Sequence, residues 1–188
     1  MHSDLEIVHS TGARFHAHKV VLAAEARECA DLLGVEEYVN EESDLPGEYL
    51  DCFLRWCYGV DLHLDMDNHD IDIPLCTGLL HVAFKWKVDL LEKQAGDTLT
   101  WLLEHELSWD DSGDEEIARR LADICDYVEE HEETFDFAAV ADIVGDFCHK
   151  HFDELRQCYS FVRLLETESK LAACILHRFA DEKLGKLE

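Results

Sequence analysis

The N-terminal part of the chain alternates hydrophobic and polar side chains with the two-residue period of β-strands. Leu5 and Ile7 share one face of a first run, and Phe15 and Ala17 share one face of a second. Successive side chains of a strand point to opposite faces of a sheet, so this spacing predicts two half-buried strands. A short polar segment with a glycine separates the two runs, which is typical of a turn. The pattern therefore predicts a β-hairpin over residues 4–19.

After the predicted hairpin, the hydrophobic positions change to the three- and four-residue spacing of helices. Strong helix formers run from Val20 to Leu33, and Gly34 suits the position just after a helix end. Tyr38 and Val39 indicate a short third strand. The beginning of the chain is thus expected to combine a small sheet with a first helix.

Three further helices are expected in the first half of the chain, because hydrophobic residues recur there at helical spacing. The first lies between Pro46 and Gly59, the second begins near Pro74, and a short strand at 62–64 separates them. The third opens at Asp89. The residues expected on the buried faces are Tyr49, Cys52, Phe53 and Trp56 in the first helix, Leu75, Leu79, Ala83 and Trp86 in the second, and Leu91, Ala95, Leu99 and Leu102 in the third.

The segment 107–113 interrupts both periods and is interpreted as a linker, because serine, aspartate and glycine break regular structure there. It would separate a first domain at 1–106 from a helical extension at 114–188. Four helices are predicted in the extension. The hydrophobic positions are Ile117, Leu121, Ile124, Cys125 and Val128 in the first helix and Phe137, Val140, Val144, Phe147 and Phe152 in the second. The third helix is predicted at 155–165, and the fourth has Leu171, Ile175 and Phe179. The predicted fold class is α+β and predominantly helical: a small sheet flanked by helical hairpins, followed by an all-α extension.

The charge of the chain restricts the class of partner. There are 16 basic and 43 acidic residues, which give a formal net charge of -27 spread over the whole chain. A field of this sign repels phosphate backbones, so no nucleic-acid partner is expected, and it favours basic protein partners. Hydrophobic residues make up 47% of the chain, which is enough for a substantial core.

Cysteine content and the N-terminal sequence bear on the compartment. The eight cysteines are scattered, and no secretory signal precedes them. Free thiols are expected in a reducing compartment, where most are buried and act as small hydrophobic residues. No segment approaches the roughly 18 apolar residues of a membrane span, so no membrane partner is expected. We therefore expect a cytoplasmic or nuclear protein.

Three segments resemble the signature of the BTB/POZ domain family. Residues 15–23 are similar to the family's Phe-x-Ala-His-Lys/Arg-x-Val-Leu-Ala motif, 54–59 to its Leu-x-Tyr-hydrophobic-Tyr-Thr-Gly motif, and 81–91 to its Ala-x-x-aromatic-x-Val-x-x-Leu motif. The residues that match the family are Asp4, Phe15, His18, Lys19, Leu22, Tyr58, Gly59 and Ala83. The resemblance covers residues 4–105, with a departure at 26–29, where the family usually has Ser-x-x-Phe.

The resemblance implies a stand-alone BTB/POZ-like domain, which is a eukaryotic, non-enzymatic protein–protein interaction module. Such a module would act either as an adaptor in a cullin-type ubiquitin ligase complex, with the helical extension beside the cullin, or as a self-associating scaffold that forms a homodimer. The resemblance further implies that Asp4 and Lys19 form a charged pair in a pocket near a dimer interface. The alternative is an ordinary charge pair at the edge of the hairpin, which would contribute little. Trp109, in the predicted linker, is the candidate for an exposed contact residue.

Catalytic and metal chemistry has weaker support in the sequence. There is no nucleophile elbow, phosphate-binding glycine loop or His-Glu-x-x-His motif, so neither an enzyme nor a cofactor is predicted. Two segments leave a metal-binding enzyme or sensor open as the alternative: the His/Asp loop at 61–72, and Cys148 with His151 one helical turn later. The loop lacks the glycine and glutamate of a calcium site. His16 and His18 share a strand face, with no third ligand indicated.

Overall fold

The chain forms a predominantly helical α+β structure, as the sequence predicts. A computed structural model describes residues 3–26, 37–40, 46–60, 62, 73–105, 113–131, 137–166 and 170–185. The chain divides into two compact units. The first unit is formed within Met1–Ile71 and Gly78–Ala95, and the second within Asp72–Thr77 and Gly96–Glu188.

A three-stranded sheet begins the first unit. Its strands are β1 (Leu5–His9), β2 (Arg14–Ala17) and β3 (Glu37–Asn40), in the order β2-β1-β3. Strand β2 pairs antiparallel with β1, and β3 pairs parallel with β1. Leu5 and Ile7 are buried on one face, as their two-residue spacing requires. The predicted hairpin and the predicted third strand are both confirmed.

The first helix, α1, is shorter than predicted. It runs over Lys19–Glu25, and its C-cap residue Ala26 has an extended backbone with φ -127° and ψ 121°. The prediction of one continuous helix to Leu33 is therefore wrong, although residues 27–36 lie outside the described part of the chain. Leu22 and Ala26 are both buried. Packing in the core thus overrides the helix propensity of this run at Ala26.

Helices α2 (Gly47–Cys57) and α3 (Ile73–Trp86) follow in the chain. The buried residues of α2 are Tyr49, Leu50, Phe53, Leu54 and Cys57. Cys52 and Trp56, which the spacing placed on the buried face, are only half-buried. The buried face of α2 is therefore rotated relative to the predicted stripe. In α3, the predicted Leu79, Ala83 and Trp86 are buried, whereas Leu75 is half-buried.

Aromatic side chains of α2 pack closely against α3 in the first unit. A Cβ atom added at Gly78 would lie 2.5 Å from two carbons of the Tyr49 ring. Because real Cβ contacts are not that short, the buried position of the Tyr49 ring requires a glycine at residue 78. The rings of Phe53 and Trp86 also meet, with centroids 5.4 Å apart. These contacts connect the two helices around a rigid aromatic centre.

Helix α4 (Asp89–His105) follows α3 after a tight turn. Lys87 adopts a positive φ of 53° there. The backbone N–H of Val88 donates to the carbonyl oxygen of Ala83 at 2.9 Å, and that of Lys87 donates to Phe84 at 3.2 Å. This hydrogen-bond pair is the Schellman motif that closes many helices. All four residues predicted on the buried face of α4 are buried, namely Leu91, Ala95, Leu99 and Leu102.

The second unit contains five further helices in the described part of the chain. They are α5 (Gly113–Glu130), α6 (Ala138–Lys150), α7 (Phe152–Leu155), α8 (Tyr159–Leu165) and α9 (Lys170–Gly185). The single helix predicted at 155–165 is wrong, because the extended backbone of Cys158 separates α7 from α8. Helix α5 packs on α8, and α6 packs on α9. Buried side chains of these helices include Leu121, Ile124, Val128, Val140, Val144, Phe147, Phe161, Leu171 and Ile175.

The predicted domain boundary remains a prediction. Residues 106–112, which include Trp109 and most of the predicted 107–113 linker, lie outside the described residues. The boundaries of the two compact units fall within α3 and α4, so the structure does not test a division into 1–106 and 114–188. None of the helices among the described residues combines the length and apolarity needed to cross a membrane.

Candidate functional site

The carboxylate of Asp4 connects the end of β2 to the start of α1. The backbone N–H of Asp4 donates to the carbonyl oxygen of Ala17 at 3.2 Å, which holds Asp4 beside the neighbouring strand. Its Oδ1 atom accepts the backbone N–H of Lys19, the first residue of α1, at 2.9 Å. The N-cap residue His18 makes no side-chain capping bond. Asp4 therefore supplies the acceptor that a helix N-terminus needs.

This contact differs from the predicted charged pair between the side chains of Asp4 and Lys19. The carboxylate of Asp4 binds the backbone of Lys19, and this is the contact that the described residues show between the two positions. A carboxylate at the N-terminus of a helix is also stabilised by the positive end of the helix dipole. Asp4 thus has a structural role at the junction, and the pocket for a partner that the resemblance implies remains a prediction.

Tyr58 fixes the same junction to the end of α2. Its hydroxyl oxygen accepts the backbone N–H of His18 at 2.6 Å and lies 2.7 Å from Nδ1 of the same histidine. The two rings meet edge to face, with centroids 5.8 Å apart. Gly59 adopts a positive φ of 71° directly after Tyr58, which suits a helix end. The junction between β2 and α1 is therefore fixed by two side chains from outside α1, Asp4 and Tyr58.

The His18 ring is part of this junction. Its Nδ1 atom faces the Tyr58 hydroxyl, which fixes the orientation of the ring. Its Nε2 atom is buried and has no hydrogen-bond partner among the described residues. His16, which shares the strand face, is exposed and lies 4.0 Å from the Glu6 carboxylate. His18 thus acts as a packed histidine with a hydrogen-bonded ring.

Three hydrophobic side chains close to this junction are exposed to solvent. Val20, in the first turn of α1, is 70% exposed, and Tyr58 and Val60 are 43% and 48% exposed. In sequence, Val20 lies two residues after His18 and Val60 lies two residues after Tyr58. Single exposed hydrophobic residues are ordinary, but several beside one fixed junction are typical of a protein-binding surface. We call Val20, Tyr58 and Val60 the junction surface.

The other residues of the predicted signature have structural positions. Leu22 and Ala83 are fully buried, whereas Phe15 and Lys19 are half-buried. Sequence reasoning singled out His18 and Tyr58 but not the hydrogen bonds between them. It also missed Val20 and Val60. The sequence did indicate that one of Val20 and Val21 is exposed. Adjacent residues of a helix lie on different faces, so only one of the two can point into the core.

Burial raises the thiol pKa of two cysteines, Cys57 and Cys148, so that both are protonated as free thiols. Burial, and in second place the nearby Glu25 carboxylate, raises the pKa of the Cys57 thiol to about 12. Burial also raises the pKa of Cys148, which is fully buried in α6. A thiol must lose its proton before it binds zinc or attacks an electrophile. Cys57 and Cys148 therefore behave as small hydrophobic residues.

Of the two segments predicted as alternative metal sites, the structure describes the one at Cys148 and His151. The Nε2 atom of His151 lies 3.2 Å from the Glu104 carboxylate, while Cys148 is buried in the helix core. The His/Asp loop at 61–72, with the strand predicted at 62–64, lies outside the described residues except for Leu62. Among the described residues, no group of three His, Cys, Asp or Glu side chains is arranged to hold a metal ion.

Comparisons with known proteins bear on the resemblance. No protein-family model matches the chain, and no curated protein is significantly similar to it. The resemblance to BTB domains therefore remains a hypothesis. It depends on the quoted motifs and on the geometry of the junction between β2 and α1.

Proposed function

We propose that the chain is a BTB-like protein–protein interaction module without catalytic activity, which binds a partner protein through the junction surface. The observation that carries this proposal is the exposure of Val20, Tyr58 and Val60 beside a junction that is held in place internally. The Asp4 carboxylate and the Tyr58 hydroxyl already have partners within the chain. These internal contacts hold the junction in place before a partner binds, so less conformational freedom should be lost on docking.

The order of elements supports the BTB-like part of the proposal. The resemblance implies the order hairpin, helix, short strand, helix pair, short strand, helix pair, and the second short strand, predicted at 62–64, lies outside the described residues except for Leu62. The described chain has β1, β2, α1, β3 and α2 in that order, followed by the consecutive helices α3 and α4. Asp4, His18 and Tyr58 are far apart in sequence but meet at one junction. The motif residues thus have a common physical task, which is to join a strand to a helix.

The charge of the chain separates the two versions of this function. A second copy carries the same net charge of -27 and repels the first, so self-association through the junction surface should strengthen as salt screens the repulsion. A cullin-type partner with a basic surface is attracted, so its binding should weaken with salt. The direction of the salt dependence therefore distinguishes a self-associating scaffold from an adaptor.

A Val20→Glu substitution tests the proposal. Residue 20 lies in the first turn of α1, where a carboxylate favours the helix, so the variant should fold. Ser10→Glu is the matched control, because it adds the same charge in the exposed hairpin turn. The readouts are the mass in sedimentation equilibrium and the calorimetric affinity for a purified cullin amino-terminal fragment, each at two salt concentrations.

We expect Val20→Glu to weaken the dimer or the cullin complex by about tenfold or more, as truncation of a central interface residue does. Ser10→Glu should leave the affinity within about twofold of the parent chain, as rim or distant charges do. A monomer at every concentration that also fails to bind cullin contradicts both versions of the function. Equal effects of the two substitutions contradict the role of the junction surface.

A further inference from the structure

A narrow groove lies between α6 and the second half of α4, within the second unit. Its volume is about 200 Å³, and its lining consists of Thr100, Leu103, Glu104, Asp142, Ile143, Asp146, Phe147 and Lys150. At one end, the Glu104 carboxylate contacts Nζ of Lys150 at 2.5 Å and Nε2 of His151 at 3.2 Å. Leu103 and Phe147 lie buried beneath the groove, and the half-buried Ile143 supplies apolar surface in this α4–α6 groove.

Two carboxylates lie one helical turn apart on the α6 side of the groove. Arg178 of α9 binds both: Nη1 donates to Oδ1 of Asp142 at 2.7 Å, and Nη2 donates to Oδ1 of Asp146. Yet the side chains of Asp142 and Asp146 remain 71% and 69% exposed. An ionised carboxylate accepts about four hydrogen bonds. Each of the two aspartates therefore has acceptor capacity left for a second cation, and Arg178 shows that their spacing suits a guanidinium.

The size and charge of the groove indicate which kind of ligand it can bind. Pockets for drug-sized ligands have volumes of about 300–1,000 Å³, whereas this groove, at about 200 Å³, has room for little more than one long side chain. Three carboxylates and two cations surround it, and the chain as a whole has a net charge of -27. An acidic occupant would be repelled. An arginine combines an apolar stem with a planar cation that can bridge two carboxylates.

We propose that the α4–α6 groove binds an arginine side chain of a basic partner segment. The stem of the arginine lies on Ile143 and on the small exposed part of Phe147, and the guanidinium binds the carboxylate oxygens that Arg178 leaves open on Asp142 and Asp146. This is a second binding site, in a different unit from the junction surface. It neither requires that surface nor supports it.

The test is a titration of the ¹⁵N-labelled full chain with N-acetyl-arginine amide, followed by NMR. This probe carries a single charge. Its binding therefore depends less than that of a polycation on the general attraction of an acidic protein. We expect saturable shifts at Thr100, Ile143 and Phe147, with a Kd of about 1–10 mM, as a single charge-assisted contact allows. N-acetyl-norleucine amide, which has a similar stem without the charge, should cause no saturable shifts at these residues.

Two variants and a control locate the site. Asp142→Asn with Asp146→Asn should weaken the arginine probe at least tenfold, and the asparagine oxygens can still accept the Arg178 hydrogen bonds, so α9 should stay in place. Ile143→Ser removes half-buried apolar surface from the groove and should weaken the probe about threefold, as the loss of a small apolar contact does. Asp126→Asn with Glu129→Gln removes the same charge from exposed positions of α5 and should have no effect.

Several outcomes overturn the proposal. They are shifts spread over the acidic surface without saturation, binding that is equal in the two double variants, and equal binding of the norleucine probe. The result is also separable from the proposed function. Val20→Glu should leave the arginine titration unchanged, so a failure of the junction surface and a failure of the groove are distinguishable.

Discussion

The junction between β2 and α1 in the first unit and the helix contacts of the second unit are held by different chemistry. In the first unit, the junction contacts are directed at the backbone: the Asp4 carboxylate binds the N–H of Lys19, and the Tyr58 hydroxyl binds the N–H of His18. Such bonds satisfy groups that every helix start leaves open. They do not need two charged side chains and depend little on salt. The junction of the first unit is therefore held by hydrogen bonds between side chains and the backbone.

In the second unit, charged side chains connect one helix to another. Arg178 of α9 binds Asp142 and Asp146 of α6, and Lys150 of α6 binds Glu104 of α4. Ion pairs with this much exposure contribute about 0–1 kcal/mol each and weaken as salt is added. The contacts at these two places therefore have different tasks. Those at the junction between β2 and α1 position an apolar surface, whereas those of Arg178 and Lys150 leave charge available at the surface.

Removal of a core aromatic ring should cause the largest loss of stability, and the loss should be equal in the two units. Phe53 in α2 and Phe161 in α8 are both fully buried. Replacement of either by alanine removes a large apolar side chain and leaves a cavity, at a cost of about 3–5 kcal/mol. Urea denaturation followed by circular dichroism measures both losses. A loss below about 1 kcal/mol at one position only would show that the core of that unit is loosely packed.

Two helical glycines provide the next comparison. In Gly78→Ala, the new methyl group meets the buried Tyr49 ring at 2.5 Å, and we expect a net loss of about 1–3 kcal/mol from overpacking. In Gly145→Ala, the nearest atom is Cδ of Arg178 at 2.9 Å, in a flexible side chain that can move. The better helix propensity of alanine, about 1 kcal/mol, should then make this change neutral or stabilising. Thermal denaturation ranks the two variants, and a larger loss at residue 145 would contradict the described packing.

The junction hydrogen bonds should contribute less than the core. Tyr58→Phe keeps the ring but removes the oxygen that accepts the His18 N–H, so we expect a loss of about 0.5–1.5 kcal/mol. Tyr159→Phe is the matched control, because that tyrosine is 71% exposed and should tolerate the change. Chemical denaturation in low and high salt measures both. A loss at Tyr58 that disappears in high salt would contradict a neutral hydrogen bond.

The smallest effect should come from the ion pairs of the second unit. Burial raises the pKa of Glu104, but hydrogen bonds from Lys150 and His151 outweigh burial and lower it below the usual value. A lowered pKa in the folded state stabilises the fold above the unfolded value of about 4.3, and this contribution is lost as the pH falls through the folded pKa. The parent chain should therefore exceed Glu104→Gln in stability by up to about 1 kcal/mol near pH 6. The gap should close in acid, and a constant gap would contradict the described contact.

The sequence predicted those parts of the fold that depend on local periodicity. The two-residue spacing of Leu5 and Ile7 and the helical spacing of Leu91, Ala95 and Leu99 correspond to the faces that are buried. Periodicity could not predict where α1 stops, because the residues after Glu25 have good helix propensity although Ala26 has an extended backbone. Nor could it reveal that Cys158 divides a predicted helix into α7 and α8.

The candidate site was only partly predictable for the same reason. The resemblance paired Asp4 with Lys19 through their side-chain charges and named His18 and Tyr58 singly, but it predicted neither backbone contact. Their contacts join residues 15 and 40 positions apart in sequence, and no local pattern encodes such pairs. The α4–α6 groove had no sequence signal, because it depends on how α4 and α6 are spaced. Long-range geometry therefore supplied what distinguishes the junction surface from other exposed hydrophobic residues.

Amide hydrogen exchange on the complex formed with cullin, or on the homodimer, tests the junction surface most directly. A partner that covers this surface should slow exchange in the segments at residues 19–22 and 58–60, which lie in α1 and just beyond α2. The Ser10→Glu chain should show the same protection, and the Val20→Glu chain should lose it. Protection confined to other segments, or the absence of any complex, would contradict the proposed docking role.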